Sequence, residues 1–130
     1  MSIIFQEIEK CMSRLTQDSD GKITARFVFP PEFIGFKGHF PSRPVLPGVC
    51  SIQAVTAIFK ALSKREVRLR EIVLAKFFTP VSANQELFFE CRSAKEESNQ
   101  SLIKVSVVSG DGKKIAELQL KLSFGVNTKK

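Results

Sequence analysis

Tryptophan and tyrosine are absent from this sequence, and histidine occurs once, at position 39. A single imidazole argues against a metal centre built on several histidines, and no cofactor is expected. The three cysteines, Cys11, Cys50 and Cys91, are dispersed and have no CxxC spacing. An odd, scattered set argues for reduced thiols rather than a disulfide framework, so a cytoplasmic protein is expected. No apolar run approaches the roughly 18 residues that a membrane-spanning helix needs, and no membrane partner is expected. The opening MSIIFQEIEK carries acids early and has no basic stretch ahead of an apolar one. It does not read as a targeting segment. Internal repeats and low-complexity stretches are also missing.

What remains is an ordinary globular balance, with 43% hydrophobic and 25% charged residues over 130 positions. That length suits a single domain, 1–130, able to bury a real core. Twelve phenylalanines supply all the aromatic content, which suits a core or pocket with few polar handles. The net charge of +7 fits either a solvated basic surface or an anionic partner. The lysines and arginines form no run, and most phenylalanines sit in apolar strand patterns, so no nucleic acid is expected.

Residues 2–16 read as an amphipathic helix, with Ile4, Phe5, Ile8, Cys11, Met12 and Leu15 at helical spacing. Asp18, Ser19, Asp20 and Gly21 break it. Lys22 to Phe29 alternates as a half-buried strand, with Ile23, Ala25, Phe27 and Phe29 on one face. Residues 30–46 hold four of the six prolines and form an ordered loop. From Pro47 to about Leu62 the chain is apolar almost all round, as a helix inside a protein would be. Strands follow at roughly 67–80, 86–93, 101–109 and 114–124, with Gly110-Asp111-Gly112 turning the last pair. This order gives an α+β class, in which a curved, largely antiparallel sheet wraps one buried helix.

The stretch that carries chemistry is Gly38-His39-Phe40-Pro41-Ser42-Arg43-Pro44-Val45-Leu46-Pro47-Gly48-Val49. Pro47 suits the first helical position. No Ser, Thr, Asp or Asn stands before it to cap the turn, which leaves the N–H groups of Gly48 and Val49 free. Such donors attract a developing negative oxygen. His39 titrates near neutrality and, beside them, suits removal of a proton alpha to a thioester carbonyl. A lone histidine can equally serve as a hydrogen-bonded structural residue. Phe33, Phe36, Phe40, Phe59 and Phe78 are candidates to line a pocket or to fill the core.

GHFPSRPVLPGV resembles the GHFPxxPVxPGV motif of FabZ- and FabA-type (3R)-hydroxyacyl-acyl-carrier-protein dehydratases. Ala75-Lys76-Phe77-Phe78-Thr79-Pro80-Val81 resembles that family's KFxxPV strand, and Gly110 to Glu117 its final hairpin. The similarity runs from about residue 21 to 124. It implies a hotdog fold, dimers with active sites at the interface, an acyl tunnel for that pocket, and an acyl carrier protein as partner, which the basic surface would suit. It also implies His39 as base and the Gly48 amide as donor to the thioester carbonyl. The family places a Glu or Asp on the buried helix, contributed by the partner subunit. This chain has Gln53 there.

Gln53 stands five residues, about 7.5 Å, beyond Gly48, and facing the same cavity is one expectation for it. A buried amide satisfied by its neighbours is the other. An amide does not supply a proton as a carboxylic acid does, help typically worth a factor of about 10² to 10⁴. Three readings stay open: a homodimeric dehydratase in which Gln53 positions the hydroxyl, a heterodimer in which a homologous subunit supplies the acid, and a non-catalytic acyl-thioester or carrier-protein binder. The GHFP loop disfavours a thioesterase. No PHRxPFLLVDR-like opening segment is present, in contrast to many such dehydratases.

Overall fold

The computed structural model describes residues 3–37, 45–97 and 99–125. Among them are two α-helices, a short 3₁₀ turn and six strands. Helix α1 is Ile3–Lys10 and α2 is Gly48–Ser63. The strands are β1 (Met12–Gln17), β2 (Ile23–Val28), β3 (Val67–Phe77), β4 (Glu86–Glu97), β5 (Gln100–Ser109) and β6 (Lys114–Phe124). They form one sheet in the order β1-β2-β4-β5-β6-β3, and every neighbouring pair is antiparallel.

Alternation in β2, β4, β5 and β6 sends one row of side chains inward. Ile23, Ala25 and Phe27 of β2 meet Leu87, Phe89 and Cys91 of β4, and Ile103, Val105 and Val107 of β5 continue the row. Helix α2 joins the same core through Cys50, Ala54, Val55, Ala57 and Ile58, all 0% exposed. The helix leads the chain from β2, near one edge of the sheet, to β3 at the other. Phenylalanines knit the loop after β2 to this core. Phe27 stacks near Phe29 at 5.8 Å, and Phe29 meets Phe33 at 4.8 Å. This is the hotdog architecture, with α2 as the wrapped helix.

The expected N-terminal helix is shorter than the spacing implies. It ends at Lys10, and Met12–Gln17 is a sixth strand, paired with β2 from Met12↔Phe27 to Gln17↔Ile23. The reason lies in the backbone. The register shifts between Ser13 and Thr16, and Arg14 has a φ of 52°. This bulge sets the inward positions Met12 and Leu15 three residues apart, where a regular strand sets them two apart. A bulged strand therefore imitates helical spacing.

Two other boundaries differ. Pro47 is the N-cap of α2, with φ −63° and ψ 141°, and Gly48 is the first helical residue. Strand β4 runs on to Glu97, beyond the expected 93, because residues 92–97 are exposed and continue the ladder with β5 without an apolar pattern. At its other end α2 stops at Lys64, which takes the left-handed conformation (φ 61°) and returns its N–H to Lys60 O at 2.9 Å.

Candidate active site

The first turn of α2 is left bare. Among the described residues no side chain caps it, and the N–H of Cys50 bonds back to Pro47 O at 2.9 Å. The segment before it is pinned by Leu46 N–H donating to Val81 O at 2.8 Å. The far wall is the end of β3, where Phe78 N–H donates to Ile115 O at 2.8 Å. Between them lies an open cleft of about 560 Å³, lined by Pro47, Gly48, Ser51, Phe77, Phe78 and Ile115 among others. A methyl group on Gly48 would fall 2.7 Å from Cζ and 2.9 Å from Cε2 of Phe77. Only glycine lets that ring come so close to the helix start.

This cleft is mainly apolar. Thr79 lines it, but its hydroxyl is spent on Lys114 O at 3.0 Å. Cys50 beside the helix start is buried, and burial pushes its thiol up to about 11. It is neutral at physiological pH and no nucleophile. At the rim, Lys114 stands 5.5 Å from the centre of the Phe78 ring and pairs with Glu117. That pairing, by hydrogen bond and charge, holds the Glu117 carboxyl below its ordinary range.

Gln53 opens elsewhere. It lines a second cleft, of about 520 Å³, with Val49, Ile52, Thr56, Val67 and Leu69. Five residues advance the helix about 140° past a full turn, so within one chain Gly48 and Gln53 face different sides. The expected shared cavity is not formed in a single protomer. Val49 falls with Gln53, its side chain 58% exposed. Oε1 of Gln53 is buried and has no hydrogen-bond partner among the described residues. An unsatisfied buried acceptor costs about 1–3 kcal/mol. The expectation that its neighbours satisfy the amide is therefore not met at this oxygen.

His39 and Phe40 lie outside the described residues. Of the other tunnel candidates, Phe33, Phe36 and Phe59 are core, at 1%, 5% and 5% exposure. Phe78 lines the glycine cleft and is 50% exposed. Two lining residues escaped the sequence reading. Phe77 was masked by its place in a strand pattern, and Ser51 by the apolar run around it. A hydroxyl inside an otherwise apolar helix was the available signal.

A hotdog sheet, with a bare helix start opening into an apolar cleft, defines the structural class. Comparison with known proteins narrows it. The family model for ApeI-like proteins, described as ApeI dehydratase, matches residues 15–119. The chain belongs to this FabZ-related hotdog dehydratase family. The 3-hydroxyacyl-[acyl-carrier-protein] dehydratase FabZ of Brucella ovis is 30% identical over 99 residues, which cover 70% of this chain and 62% of FabZ. The match thus spans less than two thirds of that relative's length. Among solved structures, the dehydratase heterocomplex ApeI:P from Xenorhabdus doucetiae superposes with a TM-score of 0.73 at 21% identity, covering 86% of this chain and 96% of that one. The putative thioesterase YhdA from Lactococcus lactis shares the fold at a TM-score of 0.71 and 11% identity, with 95% and 98% covered. No described helix is long and apolar enough to cross a membrane.

Proposed function

We propose that this chain is a dehydratase-type subunit acting on (3R)-hydroxyacyl thioesters of an acyl carrier protein, in fatty acid, polyketide or pigment synthesis. The observation that carries this reading is the uncapped α2 start at Gly48, open to an apolar cleft, in a chain of a dehydratase family. The Gly48 N–H donates to the thioester carbonyl and stabilises the enolate-like oxygen. The His39 imidazole takes the proton from C2. The C2 electron pair forms the C2=C3 double bond as the C3–O bond breaks, and the departing oxygen leaves as water once it gains a proton. In a homodimer His39 returns that proton, and Gln53 positions the hydroxyl.

One observation favours a second form of the same reading. Gln53 Oε1 is buried without a donor among the described residues and lies away from Gly48. Its donor then comes from a second subunit. A subunit with a carboxylic acid at this position would complete the site formed by His39 and Gly48 of this chain. The heterocomplex ApeI:P is a precedent for pairing of dehydratase-family chains.

Pairing runs along β3. This eleven-residue edge strand leaves Leu69, Ile72, Val73 and Phe77 between 38% and 49% exposed. An apolar edge of that length is a template for another strand. The test is enoyl product formation from a 3-hydroxyacyl carrier-protein thioester by the purified chain, alone and mixed with a homologous dehydratase subunit, beside His39→Ala. Turnover that requires His39 supports the reading, and its dependence on the second subunit selects the heterodimer. Turnover indifferent to His39→Ala in both settings overturns the assigned base.

A further inference from the structure

Among the described residues, Ser51 carries the one hydroxyl of the glycine cleft that the fold leaves uncommitted. It is 3% exposed, and it lines the same cleft as Gly48, Phe77 and Phe78. Thr79 bonds Lys114 O at 3.0 Å, and Thr56, further along α2, bonds Gln53 O at 2.7 Å. Ser51 Oγ makes no hydrogen bond to the described residues. It does not bond back to the preceding helical turn, as serines inside helices commonly do. Within a residue that is nine-tenths buried, a hydroxyl that reaches an apolar cleft without a protein partner is free to donate to a ligand.

Its position on the helix suits that use. Three residues advance α2 by about 4.5 Å and fall about 60° short of a full turn, so Gly48 and Ser51 are neighbours on one face. In a 3-hydroxyacyl thioester the carbonyl carbon and C3 are separated by one carbon. The two oxygens, splayed apart, span a comparable distance. We propose that Ser51 is the second anchoring donor of the cleft and holds the C3 oxygen of an acyl group whose carbonyl oxygen rests on the Gly48 amide. Gln53 opens to the other side of α2, so among the described residues Ser51 is the uncommitted polar side chain that one protomer offers to that oxygen. The inference rests on the acyl-thioester reading above and adds a substrate-selecting residue to it.

The test compares binding of two stable probes, 3-hydroxyoctanoyl pantetheine amide and octanoyl pantetheine amide, by calorimetry on the full chain. The wild type binds the hydroxylated probe more tightly, by the roughly threefold to tenfold that one hydrogen bond supplies. Ser51→Ala loses that preference and binds the plain probe as before. Ser51→Cys, close in size but a weak donor, loses it too, and Ser51→Thr restores it. A folded Ser51→Ala or Ser51→Cys protein with the preference intact overturns the role of Ser51 and leaves the thioester reading standing. Failure of the wild type to bind either probe sinks both.

Discussion

At the residue scale, the site depends on the one position where α2 has no side chain. Gly48 keeps its amide bare, and the Phe77 ring lies where a methyl group would go. Gly48→Ala therefore has opposed effects. Alanine is favoured over glycine in a helix by about 1 kcal/mol. It also pushes against Phe77, whose ring is 49% exposed and able to swing outward. The expected outcome is a urea midpoint little changed, within about 1 kcal/mol of the wild type. Acyl-pantetheine binding falls at least tenfold as the displaced ring and the new methyl crowd the amide. A variant that binds normally would remove the Gly48 amide from the site.

At the element scale, what matters is which edges of the sheet are finished. Strand β1 is short, bulged at Arg14 and largely polar outward, which ends pairing on that side. Strand β3 is long and presents apolar residues, and we expect a second subunit there. Ile72→Glu puts a charge at a position 48% exposed in the lone chain. A monomer of unchanged circular dichroism is expected by light scattering, together with loss of activity. A dimer that persists would move the interface elsewhere.

The same scale explains what the sequence made legible. Strands β2, β5 and β6 alternate cleanly because one face meets α2, and α2 declares itself by being apolar on most sides. Strand β1 did not, because its bulge spaces Met12 and Leu15 by three residues and mimics a helix. The tail of β4, residues 94–97, was missed because both of its faces are exposed. At the site, the bare turn at Gly48 followed from Pro47 and the lack of a capping side chain. The separation of Gly48 from Gln53 needed the helical rotation to be carried through, and Ser51 and Phe77 needed the cleft itself.

At the scale of the whole molecule, burial sets the chemistry of the three thiols. Burial, with Glu90 adding to it, pushes Cys91 up to about 12. Burial raises Cys50 to about 11, and burial together with Glu7 raises Cys11 to about 11. In the unfolded chain these thiols ionise near pH 9. The folded state therefore binds more protons as pH rises beyond that value, and stability falls. The contribution is complete below about pH 9 and lost as pH climbs through the folded values. With no tyrosine in the chain, no phenol obscures this window. The urea midpoint is expected to drop between about pH 8 and about pH 10.5, and to drop less in Cys91→Ala. An equal drop in that variant would shift the effect to the lysines.

The β3 edge and the bare helix start support the proposed account, in which this chain would offer a base and an oxyanion donor but no acid of its own. Turnover by Gln53→Glu tests it most directly, with enoyl product measured from a 3-hydroxyacyl carrier-protein thioester by the purified chain. Restoring the carboxylic acid is expected to raise the rate by about 10² to 10⁴ over the wild type, and His39→Ala added to it should abolish the gain. A folded, dimeric Gln53→Glu protein that binds the thioester and turns over no faster than the wild type would contradict the account.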